Sequence, residues 1–173
     1  MKRRTFTSLV TGLSVAAGLM GTTAMAQDDM RIALVVKALG IGFFEAAAEG
    51  ANEAAAELGN VEIIYTGPTS TTAEGQIEVI NSLIAQGVDA IAISANDPDA
   101  VVPALKRAMD RGITVISWDS GVAEEGRMMH LNPSSTPLIG NTILKLAADH
   151  MPDGGEVAIL SATTTSTNQN AWI

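Results

Sequence analysis

The sequence predicts an α/β fold, a parallel sheet with helices packed on its faces, and three observations predict it. Short runs dominated by apolar residues recur at 32–36, 61–65, 90–94 and 113–117, the pattern of strands covered on both faces. The stretches between them carry apolar residues at three- and four-residue spacing, the period of a helix seated on a sheet. Glycines punctuate the helical stretches at Gly59, Gly87 and Gly112. Strands alternating with helices at this spacing imply right-handed crossovers and hence parallel strands.

The elements follow in order. Lys2, Arg3 and Arg4 open the chain, a mildly apolar stretch runs through residues 9–20, and Ala24-Met25-Ala26 precedes Gln27. Basic, then apolar, then A-x-A is the order of a cleavable export signal, so residues 1–26 are read as one. The apolar part is too short to span a bilayer, and nothing amphipathic favours a buried helix. Arg3-Arg4-Thr5-Phe6 also resembles a twin-arginine signal, and a basic start serves the general secretory route equally. Removing residues 1–26 takes away three positive charges and no negative ones, leaving 147 residues with 7 basic and 19 acidic side chains, a formal −12.

Residues 32–36 form the first strand. A helix is expected over 43–58, with Phe44, Ala47, Ala51, Ala54 and Leu58 toward the sheet and small side chains allowing close approach. Glu45, Glu49, Glu53 and Glu57 make an i,i+4 stripe of like charge. Each neighbouring pair costs about 0.2–0.5 kcal/mol, which is tolerable in water, so the stripe reads as a solvated face, with a cation or partner surface as the alternative. After the strand at 61–65, Thr71-x-x-Glu74 reads as a capping box for a helix burying Ile77, Ile80 and Ile84. The strand at 90–94 is followed by Asp97-Pro98 and a helix with Val101, Leu105 and Met109 inward; Pro103 requires regular hydrogen bonding to begin only just before it. The fourth strand is 113–117.

Beyond Gly126 the character changes. Residues 128–131 are a short extended piece, interrupted by Asn132-Pro133-Ser134-Ser135-Thr136-Pro137. A helix over 137–150 has Ile139, Ile143 and Leu146 on one side, Pro152-Asp153-Gly154-Gly155 is a turn, and 157–160 is a further buried strand. Residues 163–167 form a polar loop, and 168–173 begin another helix. A strand and helix broken off there cannot bury both faces, so the sequence reads as a fragment.

Composition excludes several functions. With 173 residues and 47% apolar side chains a packed core is available, and one domain suits the length better than two. The absence of cysteine removes disulfides, zinc ribbons and thiol chemistry. A formal charge of −9 lacks the electrostatic footprint of a nucleic-acid binder. Gly40-Ile41-Gly42-Phe43-Phe44-Glu45 occupies the place of a dinucleotide fingerprint, yet Glu45 stands where the third glycine would and puts negative charge where a pyrophosphate would dock. His130 and His150 lie far apart without a metal-ligand pattern, so neither a metal nor a cofactor is expected. No G-x-S-x-G elbow occurs, and Asp119 has no nucleophile or second acid placed with it, so catalysis is poorly supported.

Binding is better supported. In parallel sheets small ligands sit beyond the carboxyl ends of the strands, here Lys37, the 66–72 loop, Asn96-Asp97 and Trp118-Asp119-Ser120. Phe43 and Trp118 are expected to present flat apolar faces there, whereas Phe44 either joins them or packs inward. Lys37 and Asp119 supply a donor and an acceptor at neighbouring strand ends, unless they pair with each other. Charged groups among rigid apolar walls suit a small polar ligand such as a sugar.

Ile32-Ala33-Leu34-Val35-Val36-Lys37, Gly42-Phe43-Phe44-Glu45, Tyr65-Thr66-Gly67-Pro68-Thr69, Gln86-Gly87-Val88-Asp89-Ala90-Ile91, Trp118-Asp119-Ser120 and Asn168-Gln169-Asn170-Ala171-Trp172 together resemble the periplasmic sugar-binding proteins of ABC transporters. The nearest likeness is to the rhamnose-binding branch, with the autoinducer-2-binding proteins as near relatives. The resemblance implies a Rossmann-like lobe of a two-lobed receptor: signal at 1–26, first lobe at 27–131, an incomplete second lobe at 132–173, and a first hinge crossing at Asn132. It implies ligand contacts from Lys37 and Asp119 in the first lobe and from Asn168 and Gln169 in the second, with Phe43, Phe44 and Trp172 as apolar walls. It further implies a monosaccharide ligand, a permease partner in the inner membrane, a periplasmic monomer and no catalysis. The autoinducer-2 branch typically carries an acid at the position of Asn168, which favours rhamnose. A LacI-type effector-binding domain shares the fold but would need a helix-turn-helix ahead of residue 30, where the export signal stands.

Overall fold

A computed structural model describes residues 29–173; the expected export signal at 1–26 lies outside the described residues. The chain runs β1 (Met30–Val35), α1 (Gly42–Leu58), β2 (Val61–Thr66), α2 (Ala73–Gln86), β3 (Ala90–Ile93), α3 (Val102–Asp110), β4 (Thr114–Trp118), a 3-10 turn (Glu124–Gly126), β5 (Met129–Leu131), α4 (Thr136–His150) and α5 (Thr167–Trp172). The five strands form one parallel sheet in the order β2-β1-β3-β4-β5. The predicted α/β class holds. The chain winds from β1 out to β2 and then crosses back to β3 on the far side of β1. The switch between β1 and β3 opens a crevice beyond their carboxyl ends.

Period-two alternation divides the core between the two faces of the sheet. Ala33, Val35, Ile91, Ile93 and Val115 face α2 and α3, packing with Ile80, Leu83, Ile84, Val101, Leu105 and Ala108. Leu34 and Ala92 face the opposite way, toward Ala48 and Ala51 of α1, with Tyr65, Ile116 and Trp118 beside them. Pro103 sits in the first turn of α3, where its missing N–H is harmless, as its position required.

Several local expectations are corrected. The sheet-facing side of α1 is Phe44, Ala48, Ala51 and Ala55, while Ala54 and Leu58 are exposed. Both alanine series have helical spacing, so the sequence could not choose the phase. The glutamate stripe does lie in water. Helix α2 is capped one residue later than expected: Thr72, in extended backbone, accepts from Gly75 N–H at 3.2 Å, and no Thr71–Glu74 box forms. Its buried stripe adds the fully buried Gln76 and Leu83. Residues 157–160 form no strand; Leu160 is 98% exposed, because no neighbouring strand pairs with this segment among the described residues. Ile143 and Leu146 of α4 are likewise exposed. Among the described residues no helix is long and apolar enough to cross a membrane.

Candidate functional site

The first charged group enters as β1 ends. Val36 continues the strand's hydrogen bonding through Thr66, and Lys37, only 4% exposed, follows it into the crevice. Its ammonium donates to Ser166 Oγ at 2.8 Å. Burial pulls the Lys37 amine below its usual range, and the charge of Asp119 opposes part of that effect.

The second charged group leaves β4. Asp119, 6% exposed, adopts φ 56°, a left-handed conformation that Asp tolerates better than most residues with a Cβ. Its N–H donates to Leu131 O at the end of β5. The carboxylate is held on both oxygens: Ser94 Oγ donates to Oδ2 and Asn168 Nδ2 to Oδ1, each at 2.7 Å. Lys37 and Asp119 therefore do not spend their charges on each other. The ion pairs among the described residues are Arg31–Glu62 and Lys145–Asp149. Each charge keeps hydrogen-bonding capacity for a third party, two N–H groups on Lys37 and a further lone pair on each Asp119 oxygen.

A buried amide network fixes the strand tips that carry these groups. Gln76 Nε2 donates to Val36 O and Ser94 O at 3.0 and 2.8 Å, and its Oε1 accepts from Asn96 N–H at 2.7 Å. Asn96 Nδ2 donates to Lys37 O and Thr72 O. Gln76 thus bolts β1 to β3 at the switch point.

Aromatic side chains form the wall. Phe43, half exposed, stacks on Trp118 at 6.2 Å and 22°, and Phe44 meets Trp118 edge-on at 5.7 Å. Trp118 was expected to face the cleft; instead it stands behind the two phenylalanines, packed with the α1 side of the core. Phe44 satisfies both expectations, buried against Trp118 while one edge reaches the cavity. Glu45 Oε1 accepts from Gly40 N–H at 3.1 Å and from Tyr65 O–H at 2.9 Å. The amide that a phosphate would seek is already occupied by a carboxylate. The Tyr65 phenol is pushed up to about 12 by desolvation and by its hydrogen bond to, and the charge of, Glu45.

All seven residues expected to contact ligand, Lys37, Phe43, Phe44, Asp119, Asn168, Gln169 and Trp172, line one cavity of about 210 Å³, completed by Ile41, Thr71 and Ala162. Asn132 lies outside it, beside His130, whose Nε2 is 2.9 Å from Asn132 Oδ1 and whose Nδ1 is 2.8 Å from Ser117 Oγ. A larger groove of about 410 Å³, between α4 and residues 157–161, is walled mainly by aliphatic side chains and gathers no charged group. Lys37 and Asp119 are gathered in the smaller cavity. Sequence reasoning missed Gln76, Ser94 and Ser166, polar residues whose importance arises from burial. Their one signal is a polar residue inside an otherwise apolar stripe or strand, and Ser166 lacks even that.

Residues 32–173 match the family model described as periplasmic binding protein domain. The chain belongs to the periplasmic binding protein family. A D-ribose/D-allose-binding protein of Pseudomonas aeruginosa is 30% identical over 169 residues, covering 92% of this chain and 52% of that protein. Among solved structures, an ABC transporter solute-binding protein of Clostridium phytofermentas with bound L-rhamnose is 39% identical, with a TM-score of 0.79, covering 83% of this chain and 44% of that one. LsrB of Clostridium saccharobutylicum in complex with AI-2 is 30% identical, with a TM-score of 0.74, covering 82% and 46%. This member of the binding-protein family spans about half the length of the relatives it matches. The sheet is a lobe of the family's fold.

Proposed function

We propose that the chain belongs to the substrate-binding component of a sugar ABC transporter and takes a rhamnose-like monosaccharide between Lys37 and Asp119. The observation that carries this reading is the convergence of one cation, one anion, two carboxamides and three aromatic side chains on a single cavity. Lys37 donates to sugar hydroxyls, Asp119 accepts from them, Asn168 and Gln169 bond to the far side, and Phe43, Phe44 and Trp172 cover the C–H faces. The L-rhamnose bound in the 39%-identical solute-binding protein supports the choice of sugar. Residues 27–131 form the first lobe, 132–173 begin the second, and Asn132 is a hinge crossing about which the lobes close. After export under the direction of residues 1–26, the protein acts in the periplasm as a monomer, delivers its sugar unchanged to an inner-membrane permease and needs no cofactor.

Thermal melts with L-rhamnose, D-ribose and autoinducer-2 test the reading. Ligand at a hundredfold over Kd adds about 2.7 kcal/mol of stability. A rise with L-rhamnose is the expected result. A rise with autoinducer-2 alone moves the protein to the signal-binding branch, and the disappearance of the sugar into product makes it an enzyme.

A further inference from the structure

Ser166 is the N-cap residue of α5, a position where a serine hydroxyl ordinarily accepts from the first free N–H groups of the helix. Here it makes no such bond. Its hydroxyl, fully buried, is turned toward the first lobe and receives the Lys37 ammonium at 2.8 Å. Thr163 Oγ1 lies 2.7 Å from the same oxygen; either hydroxyl can donate in that contact, and with Ser166 as the donor the chain Lys37–Ser166–Thr163 runs in one direction. Ser166 does not line the cavity, whereas Lys37 does.

Resting on the sugar-binding reading, we propose that Ser166 is a positioning residue: it gives up its capping role to aim the Lys37 ammonium at the ligand and keep it charged. Lys37 has four rotatable side-chain bonds and sits where burial opposes its charge. One fixed acceptor restricts those rotamers and leaves two N–H groups facing the cavity. The ionisable groups lining that cavity are Lys37 from the tip of β1 and Asp119 from the tip of β4; α1, the loop before α2, and α5 contribute none. The titration of Lys37 therefore reports Ser166 without interference from a third charge.

The test uses the full chain with Ser166→Ala and Ser166→Thr, the second retaining both hydroxyl and cap propensity. Two quantities are read: the Lys37 titration midpoint by NMR of the ligand-free protein, and the Kd for L-rhamnose by calorimetry. In S166A the midpoint falls below that of the unaltered chain and Kd rises roughly tenfold, as for loss of one hydrogen bond to a charged group; S166T restores both. An unmoved Lys37 midpoint in S166A overturns the proposal, because a helix cap lost elsewhere would change melting without touching Lys37. If the unaltered chain ignores L-rhamnose and other monosaccharides while the midpoint still falls in S166A, the sugar reading fails and the hold of Ser166 on Lys37 stands.

Discussion

Replacing Asp119 by asparagine removes one charge from the cavity while keeping the shape of the side chain and its tolerance of the backbone at φ 56°. Alanine would confound the result, since a left-handed conformation costs most residues about 1–2 kcal/mol. The carboxylate accepts from two donors at 2.7 Å, Ser94 and Asn168. Asparagine presents one oxygen, so one donor keeps its partner and the other meets an N–H group. Leaving a buried donor unsatisfied lowers stability by about 1–3 kcal/mol. A sugar hydroxyl that donated to the carboxylate loses a charge-assisted bond worth about 1.5–3 kcal/mol, so Kd rises roughly tenfold to a hundredfold. Calorimetric titration with L-rhamnose, beside a urea melt of the same sample, separates the two effects. D119N that stays folded and binds L-rhamnose as tightly as the unaltered chain would refute the assignment and make Asp119 a strand-tip anchor only.

Three further outcomes follow from the same geometry. Gln76→Leu keeps the volume but strips partners from Val36 O, Ser94 O and Asn96 N–H, so urea melts should show a loss of about 2–5 kcal/mol; an unchanged midpoint would mean that the amide network does not hold the sheet. Tyr65 is the single tyrosine of the sequence, and its phenolate band should appear with a midpoint of about 12, moving toward 10.0 in Glu45→Gln; equal midpoints would sever the Tyr65–Glu45 link. Lys37 is depressed below 10.5 in the folded state, so between its folded value and 10.5 the unfolded chain binds more protons and the contribution of Lys37 to stability rises with pH; Lys37→Met should abolish that rise in pH-dependent melts, while parallel slopes would place the charge in water.

The order of the elements was legible because it depends on local pattern. The first four strand runs and the helix stops at Gly59 and Gly87, both in left-handed backbone, reappear in the fold, whereas the run at 157–160 and the expected inward phase of α1 do not. The meeting of Lys37 and Asp119 at one cavity was also legible, because a parallel sheet sends whatever follows each strand to the same end, and these two residues follow β1 and β4. Legibility failed where two local answers were equally good. The alanines of α1 fit two helical phases, and Thr72 caps α2 where Thr71 was expected, which leaves Thr71 to line the cavity. Residues 157–160 have strand composition, but strand composition does not make a strand without a neighbour.

By itself, then, the sequence determined the α/β class, the helix stops and the end of the sheet at which polar and aromatic side chains gather, since each depends on spacing along the chain. Only the tertiary structure decided how the charges are used. That Lys37 turns to Ser166 and Asp119 to Ser94 and Asn168, instead of to each other, depends on groups up to 129 residues apart in sequence brought within 3 Å. Hydrogen bonds of that length are set by the packing of β1, β3, β4 and α5, and no local propensity encodes it.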